Sequence, residues 1–114
     1  MIAYEKSTTD AVSPNFKYLK INGSNQQFEI GQRVNDEWDD DSVWENNNII
    51  KSGYNTIKIE KRGANHYYYI NGTKVSSEYY SNKTGGYFGF GGGSTSNHDI
   101  KPIIYFDYYR VNLE

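Results

Sequence analysis

The sequence predicts an all-β fold, an antiparallel β-sandwich, and three observations carry that expectation. Aromatic residues make up 17% of the chain, 12 of them tyrosines, and such side chains suit a pleated, half-buried surface. Eleven glycines against two prolines supply turns more readily than they interrupt strands. Short alternating runs separated by turn residues recur along the chain, while few long stretches carry the three-and-four spacing of an amphipathic helix.

The strands follow in order. "FKYLKI" (16–21) runs into "NGSN", and "QQFEIGQRV" (26–34) follows it, so the two are expected to form a hairpin. "NDEWDDDSVWENNN" (35–48) has no clean period and reads as a loop or a short irregular strand. In "NTIKIEKRG", Ile57 and Ile59 alternate with Thr56, Lys58 and Glu60, the pattern of a strand with one wet face. In "HYYYINGTKV", Asn71-Gly72 fits a type I′ turn, which pairs Ile70 with Thr73, Tyr69 with Lys74, and Tyr68 with Val75. Tyr68, Ile70 and Val75 then face the core, and Tyr67, Tyr69 and Lys74 face outward. "KTGGYFGFGGG" reads as a turn and a strand with Phe88 and Phe90 inward, and "STSNHD" as a loop. "IKPIIYFDYYRVNL" is a last strand whose alternation slips near Asp107, which requires a bulge.

At 114 residues the chain is expected to be a single domain spanning 1–114. A net charge of −2 argues against nucleic acid as a partner held by electrostatics, and against a polybasic membrane patch. No apolar run approaches the roughly 20 residues of a membrane span. The opening "MIAYEKSTTD" lacks the apolar core of a signal peptide. With no cysteine, disulfides and thiolate metal sites are excluded.

Three motifs in sequence, "GYNTIKIEKRGANHYYYINGTKV", "GGYFGFGGG" and "IIYFDYYRV", resemble the C-terminal two thirds of concanavalin A-like lectin/glucanase jelly rolls. The resemblance is to the non-catalytic laminin G-like and DUF1080-like domains of exported bacterial proteins. It implies a jelly-roll sandwich without its opening strands, in which "MIAYEKS" is an internal strand. Open edges of that kind invite pairing with another chain, so self-association as a twofold dimer is expected. It also implies an extracytoplasmic location (secreted, periplasmic or cell-surface) and a carbohydrate-associated, lectin-like role.

Catalysis is not expected. Glucanases of that superfamily carry E-x-D-x-E on one strand, where alternate carboxylates share a face and divide nucleophile and acid between them. The nearest match, Glu37-Trp38-Asp39-Asp40-Asp41, ends in Asp rather than Glu and lies in an expected loop. The same stretch offers calcium candidates in Asp36, Asp39, Asp40 and Asp41, because hard cations take several carboxylate oxygens, but it lacks the EF-hand glycine and glutamate in register. No other cofactor is indicated.

As ligand-binding candidates we single out Trp38, Asp39, Asp41, Tyr67 and Tyr69. A tryptophan or tyrosine face stacks on a pyranose while acids accept hydroxyl hydrogen bonds. The plain alternatives are a solvated acidic loop, partial burial of Trp38, and ordinary cross-strand tyrosine pairing. Trp44 is expected in the core. Tyr79, Tyr80, Tyr87 and Tyr105 also point outward by pattern. His66 and His98 lack a third ligand for zinc. Two readings of function therefore stand beside each other: a non-catalytic carbohydrate-binding module, and a structural or protein-interaction sandwich. A degenerate glycoside hydrolase comes third.

Overall fold

The computed structural model describes residues 2–6, 15–39, 42–79 and 87–90. All regular structure there is β: β1 (Ile2–Lys6), β2 (Phe16–Asn22), β3 (Gln27–Val34), β4 (Glu37–Trp38), β5 (Glu45–Asn46), β6 (Ile57–Arg62), β7 (Asn65–Ile70), β8 (Thr73–Tyr79) and β9 (Tyr87–Phe90). Every pairing is antiparallel. One sheet runs β4-β3-β2-β1-β9 with β5 also on β3, and the other runs β6-β7-β8. β1 lies between β2 on one side and β9 on the other. The expected strand at 100–113, the bulge near Asp107, and the inward directions of Phe88 and Phe90 lie outside the described residues or side chains.

Alternation along β2, β3 and β7 sends one set of side chains between the sheets. Leu19 and Phe28 of the first sheet meet Tyr68 and Ile70 of the second, and Ile50 from the connection closes the cluster. Ile21, Ile30, Ile49, Ile57, Ile59 and Val75 pack around it. Each fully buried side chain of this size contributes roughly 1.5–3 kcal/mol relative to exposure, so this layer holds the two sheets face to face. The same space holds a polar link. Lys17 of β2 pairs with Glu78 of β8, and the Tyr68 hydroxyl donates to Glu78 Oε1 at 2.6 Å. Buried charges persist only where paired and hydrogen-bonded in this way.

The hairpin of β2 and β3 forms in the expected place, closing at Asn22 and Gln27. Asn71 (φ 51°) and Gly72 (φ 84°) both take positive φ, as a type I′ turn requires. The pairs Ile70 with Thr73 and Tyr69 with Lys74 also form as expected. The next pair corrects the sequence reading: Tyr68 faces Ser76, not Val75, because the register shifts between Tyr68 and Tyr69. The extra residue is a β-bulge. It lets Val75 reach the core cluster although it no longer opposes Tyr68.

Of the two forms expected for the acidic stretch, its described residues take the short irregular strand, with β4 and β5 pairing on the edge of β3. Asn35 (φ 53°) and Asp36 (φ 66°) make a two-residue turn that folds β4 back on β3, pairing Val34 with Glu37 and Arg33 with Trp38. The chain then leaves the edge and returns at β5, pairing Phe28 with Glu45. From residue 28 to 33 is five steps on β3, and from 38 to 45 is seven on the returning chain. The returning chain is thus two residues longer than the stretch of β3 beside it. Trp44 lies on this excursion with 39% of its surface exposed. The expectation that it packs in the core is therefore wrong, because Phe28 and Ile50 already fill that position.

Candidate functional site

Two aromatic faces come out of this architecture, and they point in opposite directions. Because Leu19 faces the core, its neighbours Phe16, Tyr18 and Lys20 face outward on the first sheet. Trp38 joins them from β4. Its ring meets Phe16 edge-on at 5.7 Å and Tyr18 at 5.4 Å. Lys20 Nζ lies 4.3 Å and Arg33 Cζ 5.6 Å from the Trp38 ring centre. The indole is 46% exposed, yet two cations and two rings already surround it.

Tyr18 anchors this face. Its ring crosses β3 above Gly31, where an added Cβ would stand 2.4 Å from the hydroxyl. Beyond Gly31 the hydroxyl donates to Glu29 Oε1 at 2.9 Å, and Ser42 from the excursion donates to the same oxygen at 2.8 Å. Burial, with Glu29 acting in the same direction and Ser42 against it, pushes the Tyr18 hydroxyl up to about 12. The phenol stays protonated and holds the excursion onto the sheet. Sequence reasoning missed this group because its members are 11 and 24 residues from Tyr18.

The second face lies on β6-β7-β8. Tyr68 and Ile70 are buried, so Tyr67 and Tyr69 point outward, as expected, and Lys74 with them. Register places Lys58 opposite Tyr69 on one side and Lys74 opposite it on the other. Lys58 Nζ sits 4.4 Å above the Tyr69 ring, and Lys74 Nζ 5.6 Å from that of Tyr67. At exposed positions such cation–π contacts are worth about 0.5–1 kcal/mol, so a ligand can displace them. Tyr79, paired across from Asn65, is 73% exposed. A hollow of about 190 Å³ opens between Thr56, Lys58, Tyr69 and Gly72.

The candidates thus do not converge. Trp38 and Asp39 belong to one outer face, Tyr67 and Tyr69 to the other, with both sheets between them. Asp40 and Asp41, two of the four calcium candidates and the latter also the closing carboxylate of the nearest catalytic match, lie outside the described residues, as do Tyr80, Tyr105, His98 and the Tyr87 side chain. Glu37 is in β4 and exposed. Asp36 reaches Arg33 at 3.4 Å. A second hollow of about 210 Å³ lies between Phe28, Ile30, Val43, Glu45, Ser76 and Glu78, where Glu78 is already held by Lys17 and Tyr68. His66 is buried, and no group of three or more His, Asp or Glu is placed to hold a metal among the described residues. No helix there is long and apolar enough to cross a membrane.

No family model, curated protein or solved structure matches the chain. The likeness to concanavalin A-like domains therefore rests on the motifs themselves, and the structure gives two of them a plain role. The Asn55 side chain accepts from the Lys51 amide at 2.8 Å and donates to the Lys51 carbonyl at 2.9 Å. Asn71 accepts from the Thr56 amide at 2.9 Å and donates to the Ile49 carbonyl at 2.7 Å and to Asn55 Oδ1 at 2.9 Å. The asparagines of "GYNTIKI" and "YINGTKV" clasp the connection to the hairpin. They are framework, and the ligand candidates lie elsewhere.

Proposed function

We propose that this chain is a non-catalytic, carbohydrate-associated binding module of an exported bacterial protein, built on an incomplete jelly roll. The observation that supports it is the outer face of β6-β7-β8, which carries Tyr67, Tyr69 and, at its far end, the exposed Tyr79, with a hollow at Tyr69. Rigid aromatic faces stack on sugar rings with little loss of side-chain freedom, and the neighbouring polar groups supply hydrogen bonds. Trp38 is the weaker platform because the Phe16 and Tyr18 rings pack edge-on against it and two cations lie over it as well. Titration of the chain with a broad glycan panel, followed by tyrosine and tryptophan fluorescence, tests the reading. Binding that is lost in Tyr69→Ala and kept in Trp38→Ala supports it, and silence across the panel overturns it.

A second reading, a protein-interaction domain that self-associates, is favoured by a different observation. Val43 and Trp44, 66% and 39% exposed, stand together on the interrupted edge, where β4 and β5 leave part of β3 unpaired among the described residues. Sedimentation at rising concentration distinguishes it. A twofold dimer that Trp44→Ala dissociates supports this reading, and a clean monomer at high concentration removes it.

A further inference from the structure

We propose that the outer face of β6-β7-β8 takes acidic glycans, chains bearing carboxylate or sulfate groups, with Tyr69 as the stacking surface and Lys58 and Lys74 as the anion contacts. The inference rests on the carbohydrate-associated reading above and narrows it to a ligand class.

Three features carry it. Lys58 and Lys74 lie directly across from Tyr69 on its two neighbouring strands. With strands about 4.8 Å apart, the two ammonium-bearing side chains flank the ring over about 10 Å. Both lysines are exposed. The second feature is charge. Among the described residues, this face carries beside these lysines Arg62 and a single acid, Glu60, which sits between Lys58 at 3.3 Å and Arg62 at 2.5 Å. Three cations against one carboxylate make a positive field in a chain whose net charge is −2, and such a field attracts an anionic ligand. The third feature is hydrogen-bonding character. Lys58, Thr56 and Tyr69 line the hollow, Lys74 stands across from Tyr69, and Glu60 is already engaged. The two ammonium groups only donate, while the Thr56 and Tyr69 hydroxyls both donate and accept. The charged groups left for a ligand on this face are therefore donors, which a ligand bearing anionic acceptors meets best. Gly72, with no side chain and nothing within 4 Å of where one would stand, leaves the approach to Tyr69 open.

Aromatic rings interleaved with lysines also suit single-stranded nucleic acid. That partner is less favoured because the chain lacks the basic excess that phosphate binding draws on. It is kept as an outcome of the test.

The experiment titrates the full chain with polygalacturonate, a sulfated glycan, neutral laminarin and oligothymidylate at low salt. We expect one or both acidic glycans to bind at least about ten-fold tighter than laminarin and oligothymidylate, and to weaken as salt is raised. Which of the two binds identifies the anion. Lys58→Gln and Lys74→Gln, both at exposed positions, should each weaken that binding by about three- to ten-fold with an unchanged unfolding midpoint. Laminarin binding as tightly as the acidic glycans overturns the inference and leaves the carbohydrate reading standing. Tighter binding of oligothymidylate overturns it in favour of nucleic acid, and so does binding that both lysine variants leave intact. Silence from every glycan removes both the inference and the reading beneath it.

Discussion

His66 was passed over in the sequence as a lone histidine beside turn residues, and the structure gives it a definite state. Burial, and next Lys61, hold the imidazole below its ordinary 6.5; Glu78 pulls the other way and Lys17 adds to the lowering. The unfolded chain, where histidine titrates near about 6.5, takes up protons at pH values where the folded chain does not. The stability contributed by neutral His66 is therefore complete above about pH 6.5 and is lost as pH falls toward the lower folded value. Thermal unfolding followed from about pH 7 to about pH 5 should show a falling midpoint for the wild type and a shallower fall for His66→Gln. Parallel slopes would mean that His66 does not carry the effect. Tyr18 is the converse case, held neutral by burial. Its ring fits only because position 31 is glycine, a requirement that becomes visible once β2 and β3 are paired.

At the scale of elements, the β7-β8 hairpin was the most legible part of the chain. Asn71-Gly72 implied the turn, and alternation implied which tyrosines face inward. The bulge between Tyr68 and Tyr69 was not legible, because each strand keeps its own period of two and the slip exists only between them. The β3-β4 turn was legible in principle: Asn35-Asp36 are residue types that tolerate positive φ, and they lie between Val34 and Glu37. The run of acids that follows obscured it. Asn71 joins this hairpin to the connection before β6, which gives a separable prediction. Asn71→Ala loses the clasp and forces positive φ on a residue with a Cβ, and should cost about 2–4 kcal/mol in urea unfolding. Asn71→Gly keeps the turn and loses only the clasp, at about 1–3 kcal/mol. Equal costs would show that the turn conformation adds nothing beyond the clasp, and a neutral Asn71→Gly would show that the clasp itself is idle.

For the whole molecule, the sequence by itself determined the all-β class, the positions of the main hairpins, and the inward set of Tyr68, Ile70, Ile57 and Ile59. These depend on turn chemistry and on a period of two, which act between residues close along the chain. Only the tertiary structure decided the rest. It placed Trp38 and Tyr69 on opposite outer faces, so that the four described candidate ligand residues do not make one site. It left Trp44 on the excursion, because Ile50 from a later segment fills the core beside Phe28. It brought Ser42 and Glu29 to the Tyr18 hydroxyl, and set Lys58 and Lys74 on either side of Tyr69. Each of these depends on which strands become neighbours and in what register. That is fixed by closing the core as a unit, so no window of the sequence contains it.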